Sequence, residues 1–312
     1  MNSKLFILAL VLVFLPHLGF SKDIPSTIEK TTKVFAVKDT SNLKMDIYKL
    51  KSQSDRVQPC MIFVFGGGFI SGKRDSKQYN DYFTVLAEKG ITVVSIDYRL
   101  GLRGIKKAPS VTNTKPMYHA VDIAVEDLFS ATKYLLDNAS TLNIDAKLIM
   151  ISGSSAGAIT VLQSDYVKRN TLSGSEILPA DFQYSGVLAF AGAIASKEGT
   201  PSYKIAPAPT LFFHGDKDVL VPYGSKRFFR KGLFGSKSLA KKFKKEGYAY
   251  CFFTVEGLSH EIAESPMVIY HNQIISFIDE YIFDEKPWQM EIKLNDASLK
   301  PGPVMTIKSL YK

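Results

Sequence analysis

Short, almost entirely apolar runs alternate with longer amphipathic stretches along most of this chain, and this alternation strongly constrains its fold. The runs are rich in β-branched and aromatic residues and predict eight strands, at residues 33–37, 44–50, 61–65, 92–96, 148–152, 186–190, 210–213 and 250–255. The amphipathic stretches predict five helices, at residues 77–89, 117–138, 156–168, 236–246 and 268–281. Strands that are apolar throughout are typical of a parallel sheet buried on both faces. The order of elements from residue 60 onward therefore indicates an α/β protein with a mostly parallel, doubly wound sheet of about eight strands flanked by helices.

No internal repeat or Pro/Gly/Ser-rich linker divides the chain, so residues 22–284 are expected to form one domain. The first two predicted strands precede any helix and are expected to form an antiparallel edge. For the tail, residues 285–312, a packed extension and a loose end remain equally open. The segment 191–209 is too short for a large cap domain, whereas the longer excursion at 100–118 is expected to border a pocket.

The N-terminus has the pattern of a secretory signal peptide. Lys4 precedes an apolar run at residues 5–15, and the small-residue pattern Gly19-Phe20-Ser21 follows. A membrane anchor is the alternative, but this run is short for a bilayer span of about 20 residues. Residues 1–21 are therefore predicted to be a cleaved signal peptide, which implies a secreted or periplasmic protein without an integral membrane anchor.

The chain has only two cysteines, which excludes a disulfide-dense scaffold and leaves too few thiols for a zinc ribbon. Export would permit a disulfide between Cys60 and Cys251. Each cysteine begins a separate predicted strand, and a free cysteine commonly behaves as a small hydrophobic residue. Two buried thiols are therefore favoured over a disulfide.

The formal net charge of +9 raises the question of a nucleic-acid or other anionic partner. Many of the lysines fall on the predicted helix at residues 236–246, and further basic residues lie just upstream, between 226 and 231. No aromatic-interleaved nucleic-acid motif accompanies them. A solvated basic surface is therefore favoured, and no nucleic-acid partner is expected.

A predicted strand at residues 148–152 runs directly into Gly153-Ser154-Ser155-Ala156-Gly157, and a predicted helix follows. This is the G-x-S-x-G pattern in the strand–turn–helix context that the motif requires. Glycines on either side of the turn avoid side-chain clashes, and the helix N-terminus favours developing negative charge. Ser155 is therefore the candidate nucleophile. Ser154, without flanking glycines, is the weaker candidate, and a plain glycine-rich turn is the alternative without function.

A second glycine cluster, Gly66-Gly67-Gly68-Phe69, follows the predicted strand at residues 61–65. Glycines allow bare N–H groups to point at a substrate oxygen, and one such donor can be worth about 3–4 kcal/mol in a transition state. The N–H groups of Gly67, Gly68 and Ala156 are therefore candidates for an oxyanion hole. A flexible strand exit is the alternative.

A serine nucleophile needs a general base, and that base needs an orienting carboxylate. His260 has the expected place for the base, in a loop between the last strand and the final helix. Asp218 lies in the exit loop of the preceding strand, and the order Ser155, Asp218, His260 is that of nucleophile-elbow hydrolases. Asp216 is the alternative acid, although it is expected to brace the loop. The remaining histidines fit these roles less well: His17, His119, His214 and His271.

Residues 32–283 resemble the α/β-hydrolase superfamily. Four motifs look like those of its carboxylesterases: Gly66-Gly67-Gly68-Phe69, Ile96-Asp97-Tyr98-Arg99, Gly153-Ser154-Ser155-Ala156-Gly157 and His214-Gly215-Asp216-Lys217-Asp218. In related esterases a histidine precedes the triple glycine, whereas Phe65 stands here. The stretch 218–222 is equally similar to the dienelactone hydrolase and prolyl-oligopeptidase branches. The resemblance implies the α/β-hydrolase fold and hydrolysis through an acyl-enzyme.

These observations together predict a serine hydrolase that cleaves carboxylic esters without a metal or organic cofactor. An open site and export favour small or soluble esters, such as acylated carbohydrates, so the expected partner is a small-molecule or polysaccharide ester. A serine peptidase of the prolyl-oligopeptidase-like branch is one alternative, although the chain has no room for the propeller domain that usually accompanies it. A non-catalytic binding protein with the same fold is the other.

Overall fold

The computed structural model describes residues 23–38, 40–110, 112–307 and 309. The predicted signal peptide, residues 1–21, lies outside the described residues. The strands are, in chain order, β1 (Ile28–Lys38), β2 (Ser41–Leu50), β3 (Gln58–Val64), β4 (Thr92–Ile96), β5 (Ile144–Ser154), β6 (Gly186–Phe190), β7 (Ala193–Ser196), β8 (Thr210–Gly215), β9 (Ser225–Phe228), β10 (Lys231–Gly235), β11 (Tyr250–Val255) and β12 (Gln289–Leu294). The α-helices are α1 (Asn80–Glu88), α2 (Lys115–Asp137), α3 (Ala156–Arg169), α4 (Ser236–Glu246), α5 (Pro266–Ile269) and α6 (His271–Phe277).

One central sheet of nine strands has the spatial order β1-β2-β4-β3-β5-β6-β8-β11-β12. The pairs β1–β2 and β2–β4 are antiparallel, and every later pair in the sheet is parallel. Two groups of helices flank it, since α1 contacts α5 and α6 while α2 contacts α3. The mostly parallel α/β sheet and its antiparallel edge are therefore confirmed, with nine strands where about eight were expected.

The ninth strand comes from the tail. β12 pairs in parallel with β11 at the edge of the sheet, with Tyr250 opposite Gln289 and Val255 opposite Leu294. The segment 285–312 therefore includes a packed extension over these residues. Its mostly exposed side chains explain why no apolar run marks it in the sequence.

A second, three-stranded sheet with the order β7-β10-β9 was absent from the sequence prediction. Both of its pairings are antiparallel, and β9 and β10 form a hairpin. All four side chains of β9 are exposed, so the strand has no buried face to impose an alternating pattern. The small sheet occupies part of the short segment 191–209 and part of the chain before α4.

Parallel strands bring the loops after their carboxyl ends to one edge of a sheet. The loops after β3, β5, β8 and β11 carry the glycine cluster, Ser155, Asp218 and His260, respectively. The strand interiors are fully buried: every residue of β4, β6, β8 and β11 is buried. The site is therefore built on the most tightly enclosed part of the fold.

Cys60 lies in β3 and Cys251 in β11, and both are buried free thiols. Burial raises the pKa of each thiol to about 12, so neither is a reactive thiolate at neutral pH. The favoured prediction of two unpaired cysteines is confirmed. Among the described helices, none is both long and apolar enough to cross a bilayer.

Candidate active site

Ser155 occupies the sharp turn between β5 and α3. Its backbone has φ 51° and ψ −114°, a conformation that a non-glycine residue rarely adopts. The turn is held because the Ser155 N–H donates to the carbonyl oxygen of Phe190 at 2.9 Å, in the loop end of the neighbouring strand β6. Strain of this kind is typical of a nucleophile elbow, where it lifts a hydroxyl above the sheet.

The two motif glycines allow backbone segments to approach closely. A Cβ at Gly157 would lie 1.9 Å from the carbonyl oxygen of Val64, and a Cβ at Gly153 would lie 2.4 Å from the backbone of Gly157. Any side chain at these positions would push α3 away from β3 and β5. The pattern G-x-S-x-G is therefore a packing requirement of this turn as well as a signature.

Ser155, His260 and Asp218 form a continuous chain of hydrogen bonds. The Ser155 Oγ lies 2.7 Å from His260 Nε2, and His260 Nδ1 lies 2.7 Å from Asp218 Oδ2. All three residues are buried. With its proton on Nδ1 facing the carboxylate, the imidazole presents an unprotonated Nε2 to the serine hydroxyl, which is the tautomer that a general base requires.

Asp218 is held rigidly by its surroundings. Its Oδ1 accepts hydrogen bonds from the N–H groups of Leu220 and Val221, at 2.9 and 3.1 Å. Its Oδ2 contacts His260 and also lies 3.3 Å from His214 Nε2. Burial acts to raise the pKa of this carboxyl, but the hydrogen bonds and charge interactions with the two histidines outweigh it and lower the pKa to about 2. Asp218 is therefore ionised at neutral pH.

The alternative candidates have other hydrogen-bond partners. Asp216 accepts a hydrogen bond from the Gly257 N–H at 2.8 Å and so braces the loop that leads to His260, as its position in the sequence suggested. His214 is fully buried, with Nδ1 2.8 Å from Ser236 Oγ, and holds the turn beneath Asp218. His119 is exposed on α2, and His271 contacts the Met267 carbonyl oxygen in the last helices.

The glycine loop after β3 folds back next to Ser155. Gly67 and Gly68 have φ angles of 118° and 64°, and a Cβ at Gly67 would lie 2.1 Å from the Ser71 carbonyl oxygen. The Gly66 N–H donates to the Tyr79 hydroxyl at 3.2 Å. Within the described part of the chain, no backbone carbonyl accepts a hydrogen bond from the N–H of Gly67 or Gly68. Neither N–H group is therefore used in the backbone hydrogen bonding of this loop.

A small apolar pocket of about 40 Å³ lies directly at Ser155. Its walls come from distant parts of the chain: Gly68, Phe69, Leu102, Met117, Ser155, Ala156, Ile159, Leu220, Val221, Leu233 and Ile307. The expectation that the excursion 100–118 borders a pocket agrees with Leu102 and Met117. Leu233 of β10 and Ile307 of the tail were missed, because nothing in their local sequence indicates which distant residue they contact.

A polar cleft of about 470 Å³ lies beside the glycine loop, with Gly66 and Gly67 in its wall. The remaining lining residues are mostly hydrophilic: Ser71, Gly72, Lys73, Ser76, Gln78, Tyr79 and Glu264. Gln78 Nε2 donates to Glu264 Oε1 at 3.0 Å. Burial of the carboxyl raises the pKa of Glu264. The cleft was not predicted, since its charged members lie almost 200 positions apart in sequence.

Among the residues that the structure describes, no group of three or more His, Cys, Asp or Glu side chains is arranged to hold a metal ion. The polar atoms at the site are instead those of one hydroxyl, one imidazole, one carboxylate and free backbone N–H groups. Such a set can activate a hydroxyl as a nucleophile and stabilise an oxyanion.

Comparison with known proteins finds esterases among the similar chains. The BD-FAE family model matches residues 45–192. The chain is similar to fumonisin B1 esterase from Sphingopyxis macrogoltabida, with 30% identity over 116 residues, which cover 37% of this chain and 21% of that protein. It is also similar to esterase B1 from Culex pipiens, with 29% identity over 142 residues, 43% of this chain and 25% of that protein. The matched region thus spans about a quarter of the length of these relatives or less.

Solved structures show the same fold over most of the chain. Esterase 2 from Thermogutta terrifontis has a TM-score of 0.61 and 22% identity, covering 86% of this chain and 98% of its own. Esterase B from Lactobacillus rhamnosis has a TM-score of 0.61 and 15% identity, covering 85% of this chain and 89% of its own. The chain therefore shares the fold of these esterases, and the BD-FAE match covers a little less than half of it.

Proposed function

We propose that this protein hydrolyses carboxylic esters through an acyl-enzyme, with Ser155 as nucleophile, His260 as general base and Asp218 as the orienting carboxylate. The observation that carries the proposal is the unbroken pair of 2.7 Å contacts from Ser155 Oγ through His260 to Asp218. Ser155 also lies on a strained turn at the mouth of a pocket. The named esterases among its relatives further support ester hydrolysis.

In the first half of the reaction, Ser155 Oγ attacks the ester carbonyl carbon while its proton passes to His260 Nε2. The ionised Asp218 stabilises the imidazolium that forms. The N–H groups of Gly67, Gly68 and Ala156 hold the negative carbonyl oxygen of the tetrahedral intermediate. Collapse of this intermediate breaks the bond to the alcohol oxygen, which takes the proton from Nε2 and leaves as the alcohol.

In the second half, a water molecule attacks the acyl carbon of the Ser155 ester while His260 Nε2 accepts a proton from that water. A second tetrahedral intermediate forms with its oxyanion at the same N–H groups. Its collapse returns the proton to Ser155 Oγ and releases the carboxylic acid. The same three side chains therefore serve both halves, and the chemistry requires only the substrate and water.

The two cavities beside the glycine loop support a substrate with a short acyl group and a hydroxyl-rich alcohol. The apolar pocket at Ser155, with a volume of about 40 Å³, is small and favours a short acyl chain. The polar cleft, with Lys73, Gln78 and Glu264, offers donors and acceptors to the hydroxyl groups of a sugar. Acylated carbohydrates, small or polymeric, are the substrate class that combines both features.

The test is a panel of p-nitrophenyl esters of rising acyl length together with acetylated and feruloylated sugars. We expect activity to be highest on acetyl esters and to be lost in Ser155→Ala. Ser154→Ala is the matched control, because it removes the neighbouring buried hydroxyl and is expected to retain activity. Full activity in Ser155→Ala would overturn the assignment.

Two further measurements separate the competing functions. A fluorophosphonate probe is expected to label the wild-type chain and not Ser155→Ala, whereas a non-catalytic binding protein would remain unlabelled. An acetyl ester is expected to be cleaved much faster than an aminoacyl amide. The reverse preference would identify a peptidase.

A further inference from the structure

The tip of the β9–β10 hairpin combines two exposed aromatic rings with four basic residues. It has the sequence Lys226-Arg227-Phe228-Phe229-Arg230-Lys231, here named the basic-aromatic tip. Phe228 is 53% exposed and Phe229 is 80% exposed. Soluble surfaces seldom display adjacent large apolar side chains unless something covers them.

The backbone at Phe229 makes this exposure harder to explain by folding alone. Its φ of 51° lies in the left-handed region, where glycine is preferred and a bulky residue is an outlier. Its ring makes an edge-on contact with the ring of Phe228, at 4.6 Å between centroids, and is otherwise turned to solvent. An unfavourable backbone conformation that no contact within the protein compensates indicates that the residue contacts another molecule.

The charges around the two rings are only partly neutralised. Arg230 donates to the Glu198 carbonyl oxygen and has a 3.6 Å ion pair with the Glu198 carboxylate. Arg227 donates to the Phe229 carbonyl oxygen. Lys226 and Lys231 have no ion pair with any residue that the structure describes. The tip therefore presents a net positive potential, which complements an anionic surface.

The angle between the planes of the two rings favours one kind of anionic surface, a lipid bilayer, over a polysaccharide. The planes of Phe228 and Phe229 are 76° apart, so they do not form the flat platform on which sugar rings stack. Two apolar rings at an exposed turn, flanked by long basic side chains, have the chemistry of a segment that enters the interfacial region of an anionic bilayer. The rings would enter the region between headgroups and acyl chains, and the basic side chains would meet the lipid phosphates.

We propose that the basic-aromatic tip docks this protein onto an anionic lipid bilayer. This role is additional to ester hydrolysis. Docking also affects where the pocket at Ser155 lies, because the same hairpin forms part of its wall. Leu233 of β10, two residues beyond the tip, lines the apolar pocket at Ser155. Docking therefore holds the pocket beside the membrane, where the enzyme is concentrated on any ester that the surface carries.

The test is co-sedimentation of the protein with vesicles of phosphatidylcholine alone and with vesicles containing equal parts of phosphatidylcholine and phosphatidylglycerol. The wild type is expected to bind the anionic vesicles, and salt is expected to weaken this binding. The double variant Phe228→Ser/Phe229→Ser is expected to bind at least about tenfold more weakly. Val37→Ser is the matched control, since it removes a 67% exposed apolar side chain from β1.

A second variant tests the charges alone. Each basic residue near an anionic surface contributes about fivefold to partitioning, so Lys226→Gln/Lys231→Gln is expected to bind about thirtyfold more weakly. Hydrolysis of p-nitrophenyl acetate in solution is expected to remain unchanged in both double variants, which separates failure of docking from failure of the proposed catalysis.

Three results would overturn the proposal. The first is equal binding to neutral and anionic vesicles, and the second is vesicle binding that survives both double variants. The third is retention of the wild type by polygalacturonate, lost in the same variants, without vesicle binding, which would make the tip a polysaccharide-binding element.

Discussion

Replacement of Asp218 by Asn tests the electrostatic core of the site with little change of shape. Asn can keep the Oδ1 hydrogen bonds from Leu220 and Val221, so the loop is expected to remain folded. The negative charge beside His260 and His214 is lost. The difference between the ordinary pKa of 3.8 and the value of about 2 in the folded protein corresponds to roughly 2 to 3 kcal/mol, or about sixtyfold.

That figure is a lower bound on the loss of activity. The interactions that lower the pKa also overcome an opposing effect of burial, and an Asn side chain additionally permits the wrong tautomer of His260. A loss of up to about 10⁴-fold is the effect of the corresponding change in a serine protease. We therefore expect kcat/KM for p-nitrophenyl acetate to fall between about sixtyfold and 10⁴-fold in Asp218→Asn.

The matched control is Asp216→Asn, two residues away, where the carboxylate braces Gly257 and is not in contact with His260. It is expected to lose less than about tenfold. If Asp218→Asn kept more than a tenth of the wild-type activity while Asp216→Asn lost more, the assignment of the orienting carboxylate would be wrong.

The same substitution changes how stability depends on pH. Since the pKa of Asp218 is lower in the folded chain than in the unfolded chain, its contribution is complete above about pH 4 and is lost as pH falls toward 2. In urea unfolding, the difference in free energy of unfolding between wild type and Asp218→Asn should therefore be largest above pH 4. It should shrink by roughly 2 kcal/mol as pH falls toward 2. A difference that is constant across this range would contradict the charge interaction.

Two other substitutions test the packing of the site. Gly157→Ala would place a Cβ 1.9 Å from the Val64 carbonyl oxygen. We therefore expect at least about a hundredfold loss of esterase activity and a destabilisation of about 1–3 kcal/mol in thermal unfolding. Gly224→Ala is the control, because the space around Gly224 is open, and it should change neither activity nor stability. Ile307→Ala is expected to raise the ratio of kcat/KM for hexanoyl over acetyl esters by about tenfold by removing one wall of the apolar pocket, and an unchanged ratio would show that this residue does not limit acyl length.

Local patterns made the central sheet predictable. The bounds of β4, β6, β11 and α4 agree with the sequence prediction to the residue. These elements have one strong signal each: the strands are buried along their whole length, and α4 has one buried stripe, formed by Leu239, Ala240 and Phe243, among lysines. Burial on both faces leaves a continuous apolar run, and burial on one face of a helix leaves a period of 3.6.

Two of the elements that escaped prediction, β9 and β12, have few buried side chains. β9 is exposed at all four positions, and β12 pairs through its backbone while most of its side chains face solvent. The hydrogen bonds of β12 are made to β11, which is distant in sequence. The hydrogen bonds of β9 depend on a turn to β10 in which Phe229, and not a glycine, has a positive φ. An apolar pattern is absent from β9, whereas β12 has an alternation of Met290, Ile292 and Leu294, of which the last two pack against the core.

The residues around Ser155 likewise include some that the sequence predicted and some that it did not. Ser155, Asp218 and His260 follow strands whose order is encoded locally, so their meeting at one sheet edge could be predicted before their distances were known. Leu233 and Ile307 reach the pocket from the hairpin and the tail, and their contacts with it are long-range. No short motif specifies such contacts, and only the folded chain brings them together.

This division has a mechanistic consequence. The proposed reacting groups follow β5, β8 and β11, which are buried along the residues that lead to the site, and precise catalytic geometry requires that rigidity. The walls of the apolar pocket come partly from β10 and from residue 307, which lie in more exposed segments with less of the buried packing that gives local stability. Changes in these walls should therefore alter which ester is accepted while leaving the Ser155–His260–Asp218 distances intact. Substrate preference in this chain can thus vary by substitution in the hairpin and the tail, without loss of the chemistry.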